Sequence, residues 1–153
     1  MKAISTVLSE CQALKSLPPE CLEILSDCSS NVSFTEGQLI FTSQQEADSF
    51  YILRSGEVGL VVPYEHGAIE VQKLYKGDIL GWSWLLPPYK WVLKARALTR
   101  VEAVKIDAKR LRGLFGTHPE FEREVLKHLM PIVIQRLNAL QLQLVDVYKA
   151  KAE

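Results

Sequence analysis

From Lys76 to Leu98 the sequence reads KGDILGWSWLLPPYKWVLKARAL, which gathers Trp82, Trp84 and Trp91, the pair Pro87 and Pro88, and the cations Lys76, Lys90, Lys94 and Arg96. Indole rings stack on planar ligands, and a Lys or Arg beside them pairs with an anion. The chemistry on offer is binding of a charged ring, or burial of the indoles as core. Covalent chemistry has less support. His66, His118 and His128 fall on a turn, a helix start and a helix face, where they read as surface residues; no HExxH pair and no nucleophile beside a base is legible. Cys11, Cys21 and Cys28 are odd in number and lack a C-x-x-C spacing, so they read as small buried apolar residues, not as disulfide or metal partners. The expected class is therefore a non-catalytic protein without a metal.

Eighteen Lys plus Arg balance eighteen Asp plus Glu in 153 residues. A neutral chain has no basic field to neutralise phosphates, which argues against duplex DNA or RNA as the main partner. The N-terminus, MKAISTVLSECQALK, lacks the apolar run and cleavage site of a signal peptide, and no stretch reaches the roughly 18 apolar residues of a membrane span. A cytoplasmic location is expected.

The elements that must position the tryptophans divide into helix, strands, helix. Ile4, Val7, Leu8, Cys11 and Leu14 predict an amphipathic helix over 4–14, and a second short helix follows Pro18 and Pro19. Between Asn31 and Asp107, short β-rich runs at 39–41, 49–54, 57–62, 68–74, 91–98 and 101–106 are punctuated by Gly37, Gly56, Gly67 and Gly77. Strands of this length and spacing predict an antiparallel jelly roll or barrel. Asp107 suits the N-cap of a short helix, and THPEFEREV opens a long one. On that last helix Leu126, Met130, Val133, Leu137, Leu140, Leu144 and Val147 alternate spacings of four and three, an a/d seam that predicts a homodimer. Leu129, Ile132, Ile134, Leu142 and Val145 lie off the seam, which predicts a second buried face against the roll. Pro131 predicts a kink or break.

In this order of parts, FTEGQLIF, EADSFYILRSGEV, YKGDILG and ARALTRVEAVKID resemble the cyclic-nucleotide-binding domain of the Crp/Fnr superfamily, over about Leu17 to Tyr148. The implied fold is mainly β with flanking helices: a helical lead-in (1–30), an antiparallel β-roll (31–107) and C-terminal helices (108–153), all one domain. The resemblance also implies a phosphate cassette of the form F-G-E-L/I-A-L, a short helix, then P-R-A/S-A. There, helix N–H groups cradle the anion, an Arg pairs with the phosphate and a Glu accepts the ribose hydroxyl. Leu80 and Gly81 match its start, but Trp82 stands at the Glu position, followed by Ser83 and Trp84, and Trp91 stands at the Arg position. Gln45 departs from a Gly common in such relatives without affecting the fold expectation.

Three readings of the altered cassette stand. Trp82, Trp84 and Trp91 fill the pocket as core. Alternatively, the pocket takes a different planar ligand, such as NAD(P)H or another nucleotide, around Trp82, Trp91 and Val92. Alternating strand faces leave Lys90 as the phosphate cation, and the resemblance places Asn138 and Gln141 on the last helix near where relatives contact the base, with which an Asn or Gln can pair. The exposed part of WSWLLPPYKW is, on the third reading, a surface for a protein partner. Relatives of this form often carry a DNA-reading domain after the last helix; here only KAKAE follows, so direct DNA binding by this chain is not expected. Small relatives with a Trp-Ser-Trp cassette accompany redox enzymes such as NAD-reducing hydrogenases, and the resemblance thus implies a regulatory or accessory role beside a protein partner.

Overall fold

The computed structural model describes residues 2–152; Met1 and Glu153, the outer bounds of the expected terminal segments, lie outside them. Helix α1 (Ile4–Glu10) is shorter than expected. The chain turns at Cys11, which keeps Cys11, Leu14 and Leu17 buried against the roll instead of carrying them around a helix. Helix α2 (Pro19–Asp27) begins with Pro19 at its first position, where the missing N–H costs nothing.

Eight strands follow: β1 (Ser29–Phe34), β2 (Leu39–Phe41), β3 (Ser49–Ser55), β4 (Val58–Tyr64), β5 (Gly67–Leu74), β6 (Ile79–Leu80), β7 (Lys94–Ala97) and β8 (Val101–Asp107). They form two four-stranded antiparallel sheets, β1-β8-β3-β6 and β2-β7-β4-β5, so the roll is not a closed barrel. The expected lead-in of 1–30 is too long by two residues, because β1 begins at Ser29. This polar strand, SSNVSF, lacks apolar alternation and is held by its ladder to β8, from Ser29 opposite Ile106 to Phe34 opposite Val101. The strand expected over 91–98 is only Lys94–Ala97, since the chain before Lys94 belongs to the cassette. Ala95 and Ala97 face inward while Arg96 is exposed, as alternation requires.

Burial of Phe50, Ile52, Leu53, Val58, Leu80, Val101, Val104 and Ile106 makes the core. The three thiols lie in its lower margin, all unpaired; burial pushes each above its ordinary range, which suppresses the reactive thiolate.

Helix α3 (Ala108–Phe115) is capped by Asp107, whose carboxylate accepts from the Arg110 N–H at 3.0 Å. Helix α4 (Pro119–Ala152) is continuous through Pro131, so of the kink or break expected there the break does not occur. Pro131 is on the exposed side of the helix, where water can serve the carbonyl that loses its donor. The face laid on the roll is Phe121, Val125, Leu129, Ile132 and Arg136. Beyond Arg136 no described residue of α4 is buried, so Ile134, Leu142 and Val145 do not make the second roll-facing surface expected of them. Of the seam, Leu126, Met130, Leu137, Leu140, Leu144 and Val147 are exposed and Val133 is half-buried in the single chain.

The lead-in and α4 are tied together by Ser16 Oγ and His128 Nε2 at 3.1 Å. His128 Nδ1 lies 2.7 Å from the Glu124 carbonyl, which fixes the ring with Nδ1 as donor and leaves Nε2 to accept from the serine. His128 is half-buried, and a hydroxyl stands beside its imidazole, a pair hidden in the sequence by a separation of 112 residues.

Candidate functional site

The cassette starts where β6 delivers Gly81, with φ +100°, a conformation that L side chains rarely adopt. A Cβ there would lie 2.5 Å from Trp91 Cη2 and 2.8 Å from Cζ3. Only glycine lets the indole come down onto this backbone. Trp91 is 4% exposed and stacks on Phe41 from β2, with ring centres 3.7 Å apart and planes 8° from parallel. Its strand-side neighbours hold it in place: the Trp91 N–H donates to Gln45 O at 2.9 Å, and the Gln44 N–H donates to Trp91 O at 2.7 Å.

After Gly81 comes Trp82, then a single 3-10 turn, Ser83–Leu85. Trp84, on this turn, is fully buried; it stacks on Phe50 at 4.6 Å and tilts against Phe115 at 6.1 Å. Its Nε1–H has no acceptor among the described residues. Arg112 of α3 closes the far side of the cassette. Its guanidinium donates to Ala47 O and Trp84 O, each at 3.0 Å, pairs with Asp48 at 3.1 Å and lies 4.2 Å over the Tyr89 ring.

Trp82 has a different environment from its two neighbours. It is half-buried, and Arg136 from α4 lies 4.8 Å over its ring while donating to the Ile79 carbonyl. Arg136 is 6% exposed. Burial pulls its pKa down to about 10, opposed by the negative charge of Asp78, so it stays cationic at neutral pH. Between Trp82, Arg136, Trp91, Phe41, Leu60 and Gly81 remains a cavity of about 300 Å³, mainly apolar, with Ser83, Val92 and Leu93 at its edge.

The structure brings Gly81, Trp82, Ser83, Trp91 and Val92 around one cavity and leaves the other expected site residues off it. Leu80 and Trp84 are in the core beneath. Lys90 is exposed, with its backbone bridged to Glu46, and does not line the cavity. Asn138 and Gln141 are exposed and also lie off it, because they project from the side of α4 roughly opposite to Arg136, about 200° and 140° around the helix. The cation lining the cavity is Arg136, not Lys90. A signal for it exists in the sequence: Arg136 continues the 121, 125, 129, 132 stripe, so it had to face the roll. Arg112 has no such signal, since its partners Ala47, Asp48 and Trp84 are all distant in sequence. Among the described residues no group of three or more His, Cys, Asp or Glu is placed to hold a metal, and no helix is long and apolar enough to cross a membrane.

The model of the cyclic nucleotide-binding domain matches residues 31–118, the roll with its cassette and α3. The chain belongs to the cyclic nucleotide-binding domain family. A protein of this family from Mycobacterium tuberculosis, the HTH-type transcriptional regulator Cmr, is 31% identical over 114 residues, 74% of this chain and 45% of the regulator. The cAMP-dependent protein kinase regulatory subunit of Emericella nidulans is 31% identical over 110 residues, 71% of this chain and 26% of the subunit. This chain therefore spans less than half the length of either relative. Among solved structures, a Geobacter metallireducens protein named for cyclic-nucleotide binding superposes with a TM-score of 0.79 at 26% identity, over 89% of this chain and 99% of that one. The family's relatives include regulators and regulatory subunits, and its fold is this chain's fold.

Proposed function

We propose that this cyclic nucleotide-binding domain is a non-catalytic regulatory or accessory module that has lost the usual cyclic AMP site and acts through a protein partner. The observation that carries the reading is Trp91, laid on the Gly81 backbone and stacked on Phe41. By resemblance to the family cassette, a phosphate cradled after Gly81 needs the cation of the Arg position. It would meet an indole face there, and burying a charge without its partner costs several kcal/mol, on the order of the stability of a weak complex. Calorimetry with cyclic AMP tests this directly, with tryptophan fluorescence as the second probe. No saturable heat is expected; a saturable micromolar response overturns the reading.

A second reading keeps a ligand. Arg136 supplies one buried cation beside the exposed side of the Trp82 ring, which suits a planar anionic ligand such as another nucleotide or NAD(P)H, sensed through α4. In the same calorimeter, saturable heat from NADH, NADPH, cyclic GMP or a cyclic dinucleotide, lost in Arg136→Met, favours the sensor over the filled pocket.

The exposed α4 seam supports a homodimer. Leu137→Glu is expected to shift the sedimentation mass from dimer to monomer without unfolding the roll, since Leu137 is half exposed at 53%. An unchanged mass sinks the dimer. A cytoplasmic location and, by resemblance, a redox enzyme as protein partner complete the proposal.

A further inference from the structure

On the opposite margin of the roll from the tryptophans, the lead-in leaves a cavity of about 550 Å³ lined by Lys2, Val7, Cys11, Arg54, Lys76 and Glu102, among others. Its charges do not balance. The Glu10 carboxylate is taken by Lys2 Nζ at 2.7 Å, and that of Glu102 by Arg100 at 2.8 Å. Arg54, at the end of β3, and Lys76, in the turn before β6, have no carboxylate within 4 Å among the described residues. With Lys2, Arg54 and Lys76 against Glu10 and Glu102, the lining has a net positive charge, and Arg54 and Lys76 are its two cations without a carboxylate partner.

Arg54 is also incompletely bonded. Its Nη1 donates to the Lys2 carbonyl at 2.8 Å, but Nε and Nη2 are out of contact with solvent and have no acceptor among the described residues. These two nitrogens form the edge of a guanidinium that grips an oxyanion through two parallel hydrogen bonds. Leaving such donors buried and unmade is costly, so an anion that reached them would recover that cost. Reaching them requires Lys2 and Ala3, exposed residues ahead of α1, to move off Arg54.

We propose that this cavity binds a small phosphomonoester, its phosphate on the Arg54 edge and beside Lys76, its organic part against Val7. A phosphate dianion matches both uncompensated cations, whereas a monocarboxylate would leave Lys76 unmatched. The site is separate from the tryptophan cassette and does not depend on what the cassette binds.

The test follows the Arg54 Nε–H signal by nitrogen-15 NMR on the whole chain during titration with inorganic phosphate, glycerol 3-phosphate and acetate at physiological salt. The Trp82 Nε1–H signal serves as the internal reference for the cassette. The expected result is a saturable shift of the Arg54 signal by both phosphates, with Trp82 unmoved. Binding of glycerol 3-phosphate, followed at the amide of Gly77, which also lines the cavity, and by calorimetry, should weaken at least about tenfold in Arg54→Gln, the loss of a charge-assisted pair of bonds. Lys76→Gln, an exposed position that leaves the core intact, should weaken it by a smaller factor. A shift that stays linear with phosphate, an affinity unchanged in both variants, or tighter binding of acetate than of phosphate overturns the proposal.

Discussion

Trp84→Ala is expected to destabilise the domain by about 3 to 5 kcal/mol, the range for removing a large buried aromatic side chain, and to lower its melting temperature by roughly 10 °C. The residue is fully buried, stacked on Phe50 and tilted against Phe115, so the substitution leaves a void that rigid strands on one side and α3 on the other cannot collapse. Trp84→Phe should recover much of the loss. It keeps a ring over Phe50, and the indole N–H it removes has no acceptor among the described residues. Trp82→Ala should cost only about 1 kcal/mol, the scale of its cation–π contact with Arg136 and partial burial. Urea unfolding of the three variants separates the roles, and equal costs at 82 and 84 would refute the division between core and rim.

Gly81→Ala is expected to act on the cassette more than on the rest of the fold. An alanine at φ +100° is strained by about 1 to 3 kcal/mol, and its methyl would sit 2.5 Å from the Trp91 ring. The backbone of Gly81 is fixed by the pairing of the adjacent Leu80 with Tyr51, so the indole must give way. Its displacement breaks the stack on Phe41 and moves the ring towards water, for a total of several kcal/mol. The measurement is the tryptophan emission of the native protein. A red shift relative to the wild type is expected, and an unchanged spectrum with unchanged stability would mean that Trp91 does not rest on Gly81.

The roll was legible because its short β-rich runs are separated by turns that carry glycine where the backbone has positive φ, at Gly37, Gly56, Gly67 and Gly77. Ser29–Phe34 was not, since a polar edge strand held mainly by β8 has no pattern of its own to read. The cassette was legible as a departure, Trp82 and Trp91 standing where a Glu and an Arg are expected. Its geometry was not. The division of three similar indoles into two buried and one half-exposed depends on Phe41, Phe50 and Arg136, which lie far apart in the chain and meet only in the fold. Asn138 and Gln141 lie off the cavity for a related reason: their chemical type suits a base, but the helical angle set by Arg136 turns them away from it.

Helix α4 has two halves of unequal local stability. Up to Arg136 its amides are backed by the roll; from Leu137 to Ala152 its side chains are exposed, and the described tie to the roll is one hydrogen bond at 3.0 Å, from Gln143 to the Val71 carbonyl. A helical segment of about this length is marginal in water on its own, so in a lone chain the second half frays independently of the roll. If the leucine seam pairs with a second copy, as proposed, its helicity is a function of concentration: the partner that covers the seam also supplies the free energy that keeps the last four turns wound.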